Sequence, residues 1–516
     1  MSSPVFAYDV VDYPSHPQPQ THPARLAAIA RLHGVPTASP TRCRYLEVGC
    51  GEGATLLPLA LAYPESTFVG IDLSGVAIAR GEALRKAVGL PNLTLAAADL
   101  TKWDPGPDRF DYVMAHGFYS WVPPFVRDVL LALCRDRLTP SGVAYVSYNA
   151  LPGCHIRRML WEMLRFHVRD ITDPQQKISQ AIAMIQFLAK GVYQRGAYAD
   201  LMREELRRLE NKAEPFVMFH DDLSDINDPV SITDFVAHAR RFGLEFLGEA
   251  DYFEMTADVA PGGTAGVLHD LARRDVILKE QYLDFLKGRR FRQTLLCRST
   301  APLRREPDAS AVHEFAVVGE IKSEPSPADL SPGVPVQFRG GSGSAVTIDQ
   351  AAAKTALTRV GQAFPRPVPV AALFPERATS DSDRRAVMEV LTAGYRVGLV
   401  DFQLDPPVFA ATAGRRPRVS RLVRAQLEAG MDLVTSLRPS VVHMESPITR
   451  ELVRLLDGTR DQNQLLADLA ERAAADPRFT APGDPQQPAA WWREKLAPQI
   501  DDGLASVARM ALLEDG

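Results

Sequence analysis

Tyr45-Leu46-Glu47-Val48-Gly49-Cys50-Gly51-Glu52-Gly53 is the stretch on which the reading of this 516-residue chain turns. A short apolar strand, Tyr45 to Val48, runs into three glycines at alternate positions, and an apolar, helix-like stretch begins at Ala54. Glycines suit a chain that must turn sharply with its backbone close against a ligand. The helix start then offers free N–H groups to a polar or anionic group. A lone glycine-rich turn often does no more than end a strand, so the residues beyond it carry the decision. A second strand, Thr67 to Ile71, ends in Asp72 with Leu73 beside it. At about 20 residues past the glycines, such an acid can accept hydrogen bonds from both hydroxyls of a ribose. A third strand, Leu93 to Ala97, leads to Asp99 and Leu100, suited to an adenine amine and its ring face. A dinucleotide site would favour G-x-G-x-x-G, whereas this chain reads E-x-G-x-G-x-G with an acid after the third strand. The pattern points to S-adenosylmethionine rather than a nicotinamide cofactor.

The rest of the chain fits a multidomain protein of ordinary composition. Its length predicts two to four domains, each able to bury its own core. A net charge of −5 gives no global attraction to nucleic acid or anionic lipid. Five cysteines (Cys43, Cys50, Cys134, Cys154 and Cys297) are scattered, odd in number and without metal-ligand spacing, so no metal site is expected. Reduced thiols, the lack of an apolar run of spanning length and an N-terminus without a signal-peptide core predict a cytoplasmic location and no membrane insertion.

Strand and helix signals alternate from Tyr45 to Tyr148, which predicts a parallel sheet with helices on both faces. Pro58 falls early in the helix after the first strand, where a kink is expected. Residues 151–215 read as helices, with long stretches around Met159–Val168, Ile178–Leu188 and Tyr198–Leu209. Gly243–Gly248 and Arg292–Cys297 read as closing antiparallel strands of the same sheet, split by a helical insert. The expected fold class is therefore α/β, a Rossmann-like seven-stranded sheet with a helical insertion, succeeded by two small winged-helix-like α+β modules. The boundaries are a cofactor-binding core with an N-terminal lid at 1–165 and a helical, regulatory region at 166–301 that holds the last two strands. A proline- and serine-rich linker at 302–343 and modules at 344–415 and 416–516 complete the chain.

Ahead of the core, Tyr8-Asp9 to Tyr13-Pro14 and on to Thr21-His22-Pro23 is rich in proline and aromatics. The plain reading is a disordered leader. The sharper one is a proline-stiffened lid over the cofactor, since aromatics are wasted in a solvated tail. Pro23 and Ala24 then open an amphipathic helix stopped by Gly34.

Methyl transfer from a sulfonium needs the acceptor held behind the methyl carbon and supplied uncharged. An apolar aromatic pocket disfavours a charged lysine and favours the sulfonium through cation–π contact. His116-Gly117-Phe118-Tyr119-Ser120-Trp121-Val122-Pro123, after the fourth strand, lies where open parallel sheets bind ligands. Tyr119 and Trp121 are the catalytic candidates there, against the alternative that they pack on the next helix. In the run Tyr145-Val146-Ser147-Tyr148-Asn149 at the fifth strand and just beyond it, Tyr148, Asn149 and His155 could position or deprotonate the acceptor, although a polar strand cap explains Asn149 as well. Arg415, Arg416, Arg418, Arg421 and Arg424 would suit nucleic acid, but acidic residues offset them across the tail and a solvated linker is the better reading.

With the N-terminal Tyr-Asp…Tyr…Thr-His-Pro, the glycine motif and the His-Gly-x-Tyr-Ser-Trp-Val-Pro run together, the chain resembles a class I S-adenosylmethionine-dependent methyltransferase carrying a methyltransferase regulatory domain. It is similar to the rickettsial outer-membrane-protein lysine methyltransferases. The resemblance extends through Glu280-Gln281-Tyr282 and Phe291–Leu296 to Leu456-Asp457-Gly458-Thr459-Arg460. It implies a protein lysine ε-amine as acceptor, with accessory domains shaping the protein substrate site. The family's cofactor motif maps onto Glu47, Gly49, Gly51, Gly53, Asp72, Asp99 and Leu100, with His116 beside the methionine end. The N-terminal run adds Tyr8, Tyr13, Thr21 and His22 to the expected cofactor site. Cys154 stands where members often carry tryptophan. The expected partner is a protein or peptide substrate, with a homodimer left open and nucleic acid not expected. The competing readings are a methyltransferase for a small metabolite or biosynthetic peptide, and a DNA-binding regulator that senses S-adenosylmethionine.

Overall fold

A computed structural model describes residues 7–514, except 12, 193–194, 211–214, 258–261, 375–379 and 480–485. Its centre is a sheet of seven strands: β1 (Arg44–Val48), β2 (Thr67–Asp72), β3 (Leu93–Ala97), β4 (Phe110–Ala115), β5 (Leu138–Asn149), β6 (Leu244–Glu249) and β7 (Phe291–Arg298). Their spatial order is β3-β2-β1-β4-β5-β7-β6. The first five are parallel, and β7 runs antiparallel to both β5 and β6. The last strand therefore returns to the direction of the first five, and only β7 is reversed.

Side chains alternate between the two faces, as strand geometry requires. Tyr45, Phe68, Tyr112, Tyr145 and Leu295 face one way, toward Leu26 and Ile29 of the helix Pro23–Leu32. Leu46, Val113, Ala144, Val146 and Leu296 face the other, toward Leu130 and Leu131 of the helix Pro124–Arg137 and Phe235 of the helix Ile232–Arg241. The first of these helices ends where the sequence says it should, with Gly34 in the left-handed region at φ +78. Pro58 is the third residue of the helix Leu56–Ala62. In the first turn an N–H has no intrahelical partner to lose, so the reason for expecting a kink there disappears.

β7 is locked in by an ion cluster. The Arg292 side chain is fully buried and bonds to Glu249 at 2.6 Å, Glu280 at 3.1 Å and Asp284 at 2.8 Å. Glu280 and Asp284 lie on the helix Val276–Lys287, so the cluster joins the inserted helices to the closing strands. The helices Cys154–Val168, Pro174–Gly191 and Ala197–Glu210 close around a separate core of Leu164, Ala181, Ile185, Met202 and Leu206.

Residues 302–343, expected as a linker, instead carry β8 (Ala316–Val318), β9 (Ile321–Glu324) and β10 (Val336–Gly340). These pair with β11 (Ala345–Ile348), β12 (Val368–Pro369) and β13 (Asp401–Gln403) in two three-stranded sheets. The pairing of β8 with β13 is distant in sequence and leaves no local signal among the prolines and serines. Past it, Val419, Val423, Val453, Leu465, Leu469, Trp492 and Val507 form the core of a last module. That module includes a hairpin of β14 (Leu433–Thr435) and β15 (Val441–His443).

Candidate functional site

The site is built from the carboxyl ends of β1, β2 and β4. Gly49 and Cys50 both donate their N–H groups to the Ile71 carbonyl, at 2.8 and 3.1 Å, which folds the loop back on β2. Gly49 and Gly51 have φ of +74 and +55. Added Cβ atoms there would lie 3.0 Å from the Phe118 ring and 2.9 Å from Ser15 Oγ, so this loop needs glycine on both grounds. Asp72 accepts from Gly51 N and Ser74 N, both at 2.8 Å, which fixes its carboxylate at the loop.

Glu47 stands beneath the loop, only 5% exposed, with Oε2 bonded to nothing among the described residues. Burial, reinforced by Asp72, pushes its carboxyl up to about 8. Burial also raises Asp72, against the pull of its backbone donors. Neither acid has an ion-pair partner among the described residues. Two neighbouring acids lacking a cation fit a ligand that carries positive charge, as the ammonium and sulfonium of S-adenosylmethionine do. Asp99 caps its own turn through Thr101, and Lys102 Nζ lies 3.1 Å from it. Leu100 is buried, whereas Leu73 is 53% exposed beside Asp72.

His116 comes directly after β4. Its Nδ1 lies 2.8 Å from the Tyr145 hydroxyl, and its ring meets Phe291 edge-on, with centroids 5.9 Å apart. Burial pushes the imidazole down to about 4, so it stays neutral.

The N-terminal segment lies across these groups. Asp9 accepts from Ser74 Oγ at 2.6 Å, and Gln18 N donates to Thr55 Oγ1 at 3.1 Å. Ser15 occupies the space over Gly51. Tyr8 stacks on His220 with ring centroids 4.0 Å apart, and Tyr13 meets His220 and Phe216 edge-on. His220 belongs to a short π-helical turn, Met218–Asp222, and its Nε2 lies 2.7 Å from the Val11 carbonyl. Burial pushes the Tyr13 hydroxyl up to about 12.

Other candidates sit elsewhere. Tyr119 is 2% exposed, its hydroxyl lies 2.6 Å from His238 Nδ1, and its ring packs on Phe235 and Tyr148. His238 Nε2 in turn meets Asp128 at 2.7 Å. Tyr119 is thus a core residue with its polar end committed, because the turn after β4 aims it onto the sheet face that carries Tyr148 and Phe235. Trp121 is half-buried in the same turn. Asn149 is a strand cap: its amide N–H donates to Ser120 Oγ at 2.9 Å and its Nδ2 to Asn227 Oδ1 at 2.9 Å. His155 is exposed at the start of the helix Cys154–Val168, away from the loop's contacts. Cys154 donates its thiol to the Arg290 carbonyl at 3.0 Å.

Thr21 is buried, and its carbonyl accepts from Tyr45 Oη at 3.1 Å. His22 caps the helix Pro23–Leu32 by accepting from Ala24 N. Its ring lines a cavity of about 390 Å3 shared with Arg25, Asp401 and Arg438, rather than meeting the glycine loop. Burial holds that imidazole down to about 3.

Residues that no sequence signal singles out include Ser15, Ser74, Phe118, Tyr145, His220 and Gln293. Phe118 and Tyr145 lie inside quoted runs, but nothing local tells which ring of a run turns toward the loop. His220 reaches the segment from about 200 residues away, and no spacing rule covers that.

Three family models match the chain. A model described as "Methyltransferase domain" matches residues 46–142, "Predicted methyltransferase regulatory domain" matches 214–298, and "PKMT, C-terminal winged helix domain" matches 415–512. Uncharacterized protein RP789 of Rickettsia prowazekii is 31% identical over 61% of this chain and 57% of its own length. Uncharacterized protein RP028 of the same organism is 31% identical over 47% of this chain and 96% of its own length. The solved structure of PKMT2 from Rickettsia typhi in complex with AdoHcy is similar at TM-score 0.84 and 25% identity, over 97% of this chain and 99% of that one. With the glycine loop, its two acids and these three matched domains, the chain belongs to the class I S-adenosylmethionine-dependent methyltransferases that carry a methyltransferase regulatory domain and a PKMT winged helix.

Proposed function

We propose that this protein transfers the methyl group of S-adenosylmethionine to a lysine ε-amine of a protein or peptide substrate. The observation that carries the reading is the extent of the likeness to PKMT2, which takes in the accessory modules as well as the sheet. A small acceptor needs no such surface. When bound, the cofactor supplies an electrophilic methyl group on a sulfonium, which an uncharged amine can displace in line.

The chain's own groups suit that chemistry. Asp72 puts negative charge at the loop, and Glu47, protonated in the free protein, would ionise as the cofactor's cations bind beside it. The neutral His116 adds no positive charge near the sulfonium. Tyr8 and Tyr13, fixed by His220, offer ring faces from the overlying segment, each worth about 0.5–2 kcal/mol toward a cation. That segment is the lid of this reading, and it excludes water from the amine. Tyr119 is left with a structural role.

The test is incubation of the protein with isotope-labelled cofactor and a cell lysate, with mass spectrometry as the readout. Label on lysine ε-amines of peptides is the expected outcome. Label confined to the small-molecule fraction overturns the acceptor assignment.

A further inference from the structure

The environment of His116 fixes where its proton sits. Gln293 Nε2 lies 3.2 Å from Asp251 Oδ2, and its Oε1 lies 2.9 Å from the Tyr145 hydroxyl. A carboxylate only accepts, so the amide must turn its NH2 to Asp251 and its oxygen to Tyr145. Tyr145 has one proton, and it goes to that oxygen. The phenol then has only lone pairs left for His116, so Nδ1 of the imidazole must carry the hydrogen. Nε2 keeps its lone pair and has no protein partner among the described residues. The chain of bonds is anchored at its far end. Arg25 holds Asp251 at 3.2 Å and Asp401 of β13 at 2.6 Å.

We infer that His116 Nε2 accepts a hydrogen bond from the incoming amine, and that Tyr145 and Gln293 are positioning residues that hold the imidazole in this tautomer. The inference rests on the methyl-transfer reading above. An amine that gives one N–H to Nε2 has its lone pair steered, and that steering is the service His116 supplies. As the new N–C bond forms, the C–S electron pair stays on sulfur. The extra proton stays on the methylated nitrogen, which departs with the product as an ammonium, and does not pass to His116. The groups facing the ring are Tyr145 from β5 and Phe291 from β7. Asp251, Glu249 and Arg25 act on Tyr145, and burial alone accounts for the shift of His116. The ring is therefore neutral throughout the working range, and no acidic limb of the rate profile belongs to it.

Nitrogen-15 NMR of histidine-labelled full-length protein decides this, with the His116 resonances assigned from His116→Asn. The expected signal is an Nδ1–H imidazole, constant from pH 6 to 9. Tyr145→Phe should convert it to the Nε2–H form and lower kcat about 10- to 100-fold, with KM for the cofactor unchanged. Gln293→Glu, which still offers Tyr145 an acceptor by sharing a proton with Asp251, should keep the Nδ1–H form. An Nε2–H signal in the wild-type protein overturns the inference even if Tyr145→Phe does not fold. An unchanged tautomer and kcat in a folded Tyr145→Phe protein overturn it as well. The spectra need no methyl acceptor, so the tautomer can fail while methyl transfer to lysine stands, and the reverse.

Discussion

Glu47 concentrates the conflict between stability and use into one side chain. The folded protein holds its proton up to about pH 8, whereas an unfolded carboxyl releases it near 4.5. Between those values the native state binds more protons than the unfolded one, so stability falls as pH rises. Glu47→Gln removes that liability. Without cofactor, the variant should melt higher than wild type at pH 8, and the difference should shrink toward pH 5, as read by calorimetry. Its affinity for S-adenosylmethionine should fall, since the compensating negative charge is gone. Wild-type binding at pH 7 should release a proton, visible as buffer-dependent binding heat. No such release would show that Glu47 is already ionised. The glycines, Glu47 and Asp72 were legible because one turn and two strand ends encode them, each within a few residues. Tyr119 was harder to place for the opposite reason. An aromatic in a strand-to-helix turn can face the ligand or the core, and only Phe235 and His238, over a hundred residues on, decide which.

At the level of elements, the N-terminal segment has contacts on two sides. Asp9, Ser15 and Gln18 meet the cofactor loop and its helices, while Tyr8 and Tyr13 meet the π-helical turn at His220. It therefore joins the sheet to the helical region, and the lid proposed above rests on that placement. Deletion of residues up to Gln20 removes no strand of the seven and leaves the helix Pro23–Leu32 in place. The truncated protein should keep a cooperative melt, while turnover falls by about one to two orders of magnitude, equivalent to about 1.4–2.7 kcal/mol in the barrier. Full turnover in the truncated protein would make the segment a mere leader. Helix positions were legible almost throughout, since apolar spacing and caps are local. Examples are Ile178–Leu188, which lies within the helix Pro174–Gly191, and Tyr198–Leu209, which lies within Ala197–Glu210. The strands of residues 316–340 were not, because short strands are defined by partners, and β8 finds β13 some 80 residues away.

Over the whole molecule, Arg25 is the clamp between modules. It reaches Asp251 beside β6 and Asp401 of β13, and all three side chains are largely buried. Burial raises the Asp401 carboxyl even with Arg25 present. Arg25→Met would leave both acids without their cation, a loss of about 3–5 kcal/mol for a broken buried pair. Urea unfolding should show that deficit at pH 7. The deficit should diminish toward pH 5, because Asp401, which burial already raises, then takes up a proton that the unfolded chain binds less readily. A deficit constant with pH would mean that packing, not charge, holds the modules together.

The position of β7 has a further consequence, for synthesis rather than for catalysis. β5 ends at Asn149, but the strand that covers its free edge begins at Phe291, and β6 cannot join without it. At roughly 5–20 residues per second, a nascent chain would show that bare β5 edge for about 7–28 seconds. Unpaired strands are templates for other chains, so this interval is when the protein is most exposed to misassembly. The helices Cys154–Val168 to Ala197–Glu210, with a core of their own, emerge in that interval and can fold before the sheet is closed.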